Sequence, residues 1–536
     1  MACLDRRGGR KHSALPTTTA LGLLKCQPTE NSALVAEPWW RSIESVSQSE
    51  GAREREGVDA IKRSKPASFR HLFSPARCHC SSPQQTKVEM GEAGSSFKQL
   101  DVAILGGGIG GFASAIALRR AGHRCTVYER RGFDVEVGAS ISCAANGTQW
   151  LHEWQVDVQS GRPVVLMELT MRDWQTGHIL NQYHLDDYQE TWGNVYNMFH
   201  RQDMHSMLLN TAVSTSGKGI PVEIVMDHIA DHVDTETNVV TFRNGNRVAA
   251  DLIVGSDGIR SKTRAAIGVT PEIESAPQTC YRCNVTKEQV QRLGLTWAAD
   301  PAIQFWGGYP NEDLNQYYKI VMSPCAAGDI VSFYCFMPTQ LTKHRSEGFV
   351  FEQVAPEEIL AGDYCKLDPL CVKLIQNSVE RKPWRLYVHQ PYSHWYKKQT
   401  CILGDAAHPM MPHQSQGACQ AIEDAAALGI IFSSEYNFTS NVEAGLQLYQ
   451  HIRKPRATRV QYASARALEN LNERIGFSSL SAPHAALAAK ENKLTVNEMN
   501  TYDMKKHIRE SLDPASSAAA AAAAAPASST AIATGA

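Results

Sequence analysis

The stretch LDVAILGGGIGGFASAIALRRAGHRCTVYER, residues 100–130, limits the fold more than any other part of the chain. Val102 to Leu105 is a short apolar run of the kind that suits a fully buried parallel strand. Gly106, Gly108 and Gly111 follow as G-x-G-x-x-G, and Phe112 to Arg120 reads as a helix with small residues at Ala113, Ala115 and Ala117. Cys125 to Tyr128 is a second strand, ending on Glu129. Gly106 permits a tight turn, Gly108 lets a pyrophosphate approach the backbone, and Gly111 lets the helix pack close to the sheet. The helix start offers N–H groups and the positive end of its dipole to phosphates. Glu129 stands where an acid accepts from ribose hydroxyls. Glycines alone would equally suit a turn that binds nothing. Strand, glycines, helix, strand and acid in this order point to a dinucleotide.

The unit does not separate NAD from FAD. An NADP site would favour a basic residue at the strand end; Arg130 and Arg131 are near, but Glu129 holds that position. Two further strand exits carry glycine and an acid. ADLIVGSDGIRSKTR, residues 250–264, ends a short apolar strand on Gly255 and places Asp257-Gly258 in the turn. Asp257 suits a ribose or a helix cap, and Arg260, Lys262 and Arg264 suit phosphates. CILGDAAHPMMPHQSQGACQAIEDAAALG, residues 401–429, ends a third strand on Gly404-Asp405, and Gly417 opens an Ala-rich helix. Three such exits would line one edge of one sheet, where open α/β folds bind ligands.

Composition narrows the class. The 536 residues carry a net charge of −2, so no global basic field draws nucleic acid. No run of about 20 apolar residues marks a membrane span. The 14 cysteines are scattered, and the C-x-x-C at Cys280 to Cys283 lacks the second pair that a zinc site needs, so free thiols and no metal are expected. Residues 1–97 lack sustained periodicity and read as disordered, as a transit peptide interrupted by acids, or as a mis-assigned start ahead of Met90. Residues 513–536 are low-complexity. A cytoplasmic location is expected, with organellar targeting left open.

The set GGGIGG…YER, FHRQDMHSML, DLIVGSDGIRSKTR and LGDAAHPMMPHQSQGACQAIEDAAALG resembles the FAD-dependent aromatic hydroxylases, single-component flavoprotein monooxygenases, in their salicylate-hydroxylase-like branch. The resemblance spans about Lys98 to Asn500. It implies an α/β fold: a Rossmann-like FAD-binding domain with an inserted β-sheet substrate domain and a helical C-terminal part. The FAD-binding parts would be 98–163, 196–278 and 385–430. The substrate domain would be 164–195 and 279–384, with C-terminal helices over 431–512.

Carried over residue by residue, the resemblance places Gly106, Gly108 and Gly111 at the FAD pyrophosphate and Glu129 at the adenosine ribose. Arg201 of HR-x-D contacts the flavin, a salt bridge to Asp203 being the alternative. Asp257 belongs to the DG motif, and Asp405 bonds the ribityl chain. Gly417 and Ala418 lie by the flavin pyrimidine edge. Two departures stand out. VGASI has Ser140 where relatives have glycine, beside the second flavin contact, and Ser323-Pro324 replaces the tyrosine-proline of a pocket strand.

The family chemistry is metal-free. NAD(P)H reduces FAD, O2 adds to it, and the resulting hydroperoxide hydroxylates an electron-rich ring, the cofactor carrying the hard chemistry. Partners are therefore a small aromatic substrate and O2. Oligomeric state stays open, with a homodimer as the assembly considered. A cation near a phenol lowers its pKa. Related phenol hydroxylases place an arginine near this point of the substrate domain, with a later tyrosine. By that resemblance Arg282 in CYRCNV is the candidate, with Tyr318 as partner and Tyr317 equal to it by spacing, a pair with a surface carboxylate being the alternative for Arg282. His408 and His413 suit a proton relay or loop hydrogen bonds. Dearomatising hydroxylation, epoxidation or Baeyer–Villiger chemistry in secondary metabolism is the alternative activity. A halogenase is disfavoured because no W-x-W-x-I-P segment occurs. A non-catalytic flavin-binding module is the alternative of another class.

Overall fold

In the computed structural model, residues 97–133, 138–308, 318–342, 353–468 and 493–513 are described. The readings made above for 1–96 and 514–536, and for Tyr317, lie outside them. Phe97, assigned to the N-terminal extension by sequence, already stacks on His123 with ring centroids 5.4 Å apart.

Along the chain, β1 (Asp101–Leu105) runs into α1 (Ile109–Ala121), and β2 (Arg124–Tyr128) returns beside β1. β3 (Ser140–Cys143), α2 (Arg201–Val213) and β4 (Leu252–Gly255) follow. Next come the long strands β5 (Ile273–Thr286), β6 (Ala302–Gly308), β7 (Tyr318–Cys325), β8 (Ile330–Pro338) and β9 (Glu380–His389). The chain then returns through β10 (Thr400–Ile402) to α3 (Gly417–Ile431) and α4 (Val442–Arg466).

Two sheets organise these elements. The first is six-stranded, ordered Tyr396–Lys397, β10, β4, β1, β2, Glu223–Val225, and all its pairings are parallel except the Tyr396–Lys397 edge. Its central strands are buried on both faces, which is why β1 and β4 read as unbroken apolar runs. The small residues of α1 let α3 approach closely: a Cβ on Gly429 would lie 2.8 Å from the Ala117 Cβ.

The second sheet is seven-stranded, ordered β9, β5, β8, β7, β6, Glu168–Asp173, Ile179–His184. Its pairings are antiparallel apart from β6 with Glu168–Asp173. One face packs an aromatic core around Tyr281, Trp306, Tyr318 and Tyr364. This is the expected inserted β-sheet domain, although β5 starts at Ile273 and β9 ends at His389, both beyond the expected 279–384 segment. Helices α3 and α4, with Val496–Asn500 and Met504–Leu512, form the helical C-terminal part. Among the described residues, no helix is long and apolar enough to cross a membrane.

Candidate active site

The carboxyl ends of β1, β4 and β10 open onto a cavity of about 420 Å3 whose far wall is the other face of the second sheet. Gly108, Ser256 and Asp405 come from the three strand exits, and Phe305, Val321 and Phe336 from the wall. The exits are tied together: the Ser256 hydroxyl donates to the Gly106 carbonyl at 2.7 Å.

The glycine loop has the expected geometry. Gly106 adopts φ +104°, and a Cβ there would lie 2.6 Å from the Ser256 carbonyl oxygen. A Cβ on Gly111 would lie 2.0 Å from the Gly106 oxygen, so only glycine lets α1 sit this close. A Cβ on Gly108 would meet nothing within 4 Å, because the position faces the cavity. No side chain caps the start of α1 and no acid lies in its first turn. Its N–H groups therefore keep their capacity to donate into the cavity. Glu129 accepts from Gly107 N at 2.8 Å and from the amides of Arg130 and Arg131, which fixes its carboxylate beside the loop.

Asp257 behaves differently from a simple ribose ligand. Its Oδ2 accepts from Lys262 N, Thr263 N and the Thr263 hydroxyl at 2.7, 3.0 and 3.1 Å, capping the helix Lys262–Ala266. Its Oδ1 is buried with no hydrogen-bond partner among the described residues. Arg264 is directed to the Ile259 and Ala406 carbonyls, so it braces the loop after β10 and is not held out for a phosphate.

Asp405 lines the cavity and is exposed to it. Burial pushes its pKa up, and His408 and Arg201 pull in the opposite direction. Arg201 lines the same cavity. Burial and the neighbouring Arg282 draw its pKa down, and Asp405 opposes them. The alternative partner Asp203 reaches Arg162 at 3.6 Å. Gly417 and Ala418 start α3 at the cavity, again without a side-chain cap, and a Cβ on Gly417 would meet nothing within 4 Å. Ser140 lines the cavity from β3; its amide donates to the Ser332 hydroxyl at 3.1 Å.

Strand alternation decides the far wall. Lys319, Val321 and Ser323 of β7 face the cavity, whereas Tyr318 turns into the aromatic core with Trp174 and Tyr364. The structure therefore does not bring Tyr318 to Arg282. Lys319, one residue on, takes the wall position, because a shift of one residue reverses the face. Arg282 stands opposite Tyr334 in the β5–β8 register, with its guanidinium 4.5 Å from the Trp384 ring centroid. Its Nε is buried with no hydrogen-bond partner among the described residues. The Tyr334 hydroxyl donates to the Ser140 carbonyl. Burial pushes its pKa up to about 12, while the hydrogen bond it accepts from the Ser140 hydroxyl and the nearby Arg282 act the other way, so it remains a donor near neutrality. Cys280 and Cys283 lie in separate apolar clusters on opposite faces of β5 and cannot share a metal.

The two loop histidines part company. His413 is at the cavity, its Nδ1 2.9 Å from Lys319 Nζ. His408 is 1% exposed and bonds Asp424 through Nε2 at 2.6 Å, not a backbone group. Asp424 also accepts from Gly404 N and Arg453, and Glu423 accepts from Arg453, Arg456 and Asn146. This buried ion network sets the backbone of the Asp405 loop. The sequence reading missed it and Lys319.

Two uncapped helix starts, two positions of empty space at Gly108 and Gly417, and the unpartnered Oδ1 of Asp257 fit an extended, doubly anionic cofactor of FAD's shape and charge. Comparisons with known proteins agree. The family model described as FAD binding domain matches residues 99–464. The FAD-dependent monooxygenase cfoG of Aspergillus candidus is 27% identical over 442 residues, covering 76% of this chain and 96% of that protein. Hispidin-3-hydroxylase of Neonothopanus nambi is 28% identical over 387 residues, covering 67% of this chain and 86% of that protein. The solved fold of 2-methyl-3-hydroxypyridine-5-carboxylic acid oxygenase superposes with a TM-score of 0.59 at 21% identity, covering 76% of this chain and 98% of that one. The chain belongs to the FAD-binding-domain family and is an FAD-dependent monooxygenase of the aromatic-hydroxylase type.

Proposed function

We propose that the protein hydroxylates a phenolic or aromatic-acid substrate of salicylate-like character, with NAD(P)H as reductant. In balanced form, ArH, O2, NAD(P)H and H+ give ArOH, NAD(P)+ and water. The carrying observation is the single cavity that joins the glycine-loop and α3 helix starts to the wall of Phe305, Val321 and Phe336. Bound FAD supplies the redox and oxygen-transfer chemistry at that junction. Gly106, Gly108, Gly111 and the start of α1 would hold its pyrophosphate, and Glu129 its adenosine ribose. Asp257 would accept through its remaining oxygen, and Asp405 would hold the ribityl chain. Gly417 and Ala418 would face the ring's pyrimidine edge, where the α3 dipole favours negative charge. Ser140 and Arg201 would flank the ring. Arg282 would contribute positive potential behind the substrate wall. The apolar wall excludes water and seats an aromatic ring between FAD and the sheet.

The similarity to a hispidin-3-hydroxylase supports hydroxylation as the reaction. The test is the flavin spectrum of the purified protein, followed by NADH and NADPH oxidation with salicylate and a panel of phenols, with products identified by mass. The expected result is bound FAD and phenol-stimulated oxidation with gain of one oxygen atom. Salicylate would be hydroxylated at its carboxylate-bearing carbon: with O2, NAD(P)H and two H+ it would yield catechol, CO2, NAD(P)+ and water. Stimulated turnover with loss of aromatic absorbance replaces this reading with dearomatising chemistry.

A further inference from the structure

The wall of the cavity carries a cation that the family pattern did not point to. Lys319 is 1% exposed, lines the cavity, and shares its face of β7 with Val321 and Ser323. Its Nζ lies 2.9 Å from His413 Nδ1, 3.3 Å from the Ala467 carbonyl oxygen and 4.9 Å from the centroid of the Phe336 ring. A lysine normally spends side-chain entropy to be held in one place. Here the stem is buried and the head is oriented by a loop, a helix end and an aromatic face. Held as an ammonium, with three donors and no acceptor, Lys319 would donate to the Nδ1 lone pair of a neutral His413, leaving the positive charge of the pair on the lysine.

That charge stands at the edge of an apolar slot. Phe336 is the register partner of Lys319, and Val321, two residues along, pairs with Phe305. An aromatic ring seated against Phe305, Val321 and Phe336 brings a ring substituent to the ammonium. A buried cation favours the ionised form of a neighbouring acid, and the low-dielectric surroundings strengthen the attraction. The other charged groups around the cavity have different engagements. Arg282 lies face-on to Trp384, and Arg201 and Asp405 are at the strand-exit side.

We propose that Lys319, positioned by His413, directly receives the ionised hydroxyl of the aromatic substrate. The substrate class is then an acidic phenol bound as its phenolate, the form most reactive toward an electrophilic oxygen. The inference rests on the hydroxylase reading above. No covalent step is assigned to the lysine: it accepts no proton and acts as a fixed charge.

The test uses the FAD-loaded protein and 4-nitrophenol, whose phenol and phenolate forms differ in colour, titrated at a pH below the probe's own pKa. The wild type is expected to bind the yellow phenolate. Lys319→Met should retain FAD, bind the probe roughly 10- to 100-fold more weakly, and hold it in the colourless form. Lys319→Arg should restore the phenolate spectrum at least partly. Arg282→Met serves as the contrast and should shift the bound probe toward the colourless form less than Lys319→Met does. Phenolate binding by wild type with the same affinity and colour in Lys319→Met overturns the assignment while the hydroxylase reading stands. So does a loss of ionisation in Arg282→Met alone. A wild-type protein whose NAD(P)H oxidation no phenol stimulates, and which binds no 4-nitrophenol, overturns the hydroxylase reading and this inference with it.

Discussion

The Ser323 hydroxyl donates to the Ser140 hydroxyl at 2.9 Å, across 183 residues of chain. These are the two positions at which the sequence departs from the pattern it resembles, and they are in contact. The Ser140 hydroxyl in turn donates to Tyr334 Oη at 3.3 Å. One departure accommodates the other: the small Ser323 leaves room for the Ser140 side chain, and Tyr334 of the adjacent strand supplies the phenol at this wall. Ser323→Ala removes one neutral hydrogen bond and should cost about 1 kcal/mol in urea unfolding. Ser323→Tyr overfills the site and should cost about 1–3 kcal/mol, with weaker binding of aromatic ligands. Combining Ser323→Tyr with Ser140→Gly should recover part of that loss, and a double-mutant cycle measures the coupling.

Gly108 and Gly111 should separate cofactor binding from folding. Gly111→Ala drives a Cβ to 2.0 Å from the Gly106 oxygen, so unfolding midpoint and flavin content should fall together. Gly108→Val adds a side chain to cavity space alone. It should leave the apoprotein's unfolding midpoint nearly unchanged while the flavin-to-protein ratio drops. Equal losses of stability in both variants would contradict this division.

Tyr318 and Tyr334 should behave oppositely. Tyr318→Phe, within the aromatic core, should leave KM and coupling unchanged. Tyr334→Phe removes the donor to the Ser140 carbonyl and should loosen the wall. The expected signature is more NAD(P)H consumed per hydroxylated product, seen by comparing NAD(P)H loss with product mass. The reverse pattern would restore Tyr318 as a site residue.

The buried ion network should make the protein acid-sensitive. Burial acts to raise the pKa values of Glu423 and Asp424, but Arg456 and Arg453 beside Glu423, and His408 and Arg453 beside Asp424, hold both below the ordinary values. A depressed carboxylate stabilises the fold above its unfolded-state pKa of about 4 and loses that contribution as pH falls through the folded value. Unfolding free energy should therefore drop steeply below about pH 5, and Glu423→Gln should flatten that slope. Arg453→Met leaves two buried acids short of a partner and should cost about 3–5 kcal/mol, read by urea unfolding. Because Asp424 also holds Gly404 N, flavin content should fall as well.

Legibility in the sequence followed the range of the interactions. The strand exits at Gly106, Asp257 and Asp405 could be read because glycine, acid and apolar run lie within a few residues of one another. The same parity argument reaches Lys319: a cavity-facing Ser323 puts 321 and 319 on its side and 318 on the other. Choosing Tyr318 followed the arginine-then-tyrosine pattern of related hydroxylases at the expense of the two-residue period. Asp257 was legible as either of two things, since a helix cap and a ribose ligand use the same residue at the same strand end. The pairing of His408 with Asp424, and of Glu423 with Arg453 and Arg456, left no local signal. Those acids sit on the Ala-rich α3, and the arginines that pair with them come from α4.

The first sheet also dictates an order of assembly. β1 has β2 for a neighbour almost at once, but its other edge waits for β4, and β4 waits for β10. The whole second sheet is synthesised between β4 and β10 apart from the two strands at one edge, Glu168–Asp173 and Ile179–His184. On the ribosome, the half-built cofactor sheet must therefore keep an open apolar edge until Thr400–Ile402 emerges, a distant pairing of the kind that makes folding slow. The cofactor cradle is completed last, so the appearance of flavin fluorescence quenching should report the end of folding and not its beginning.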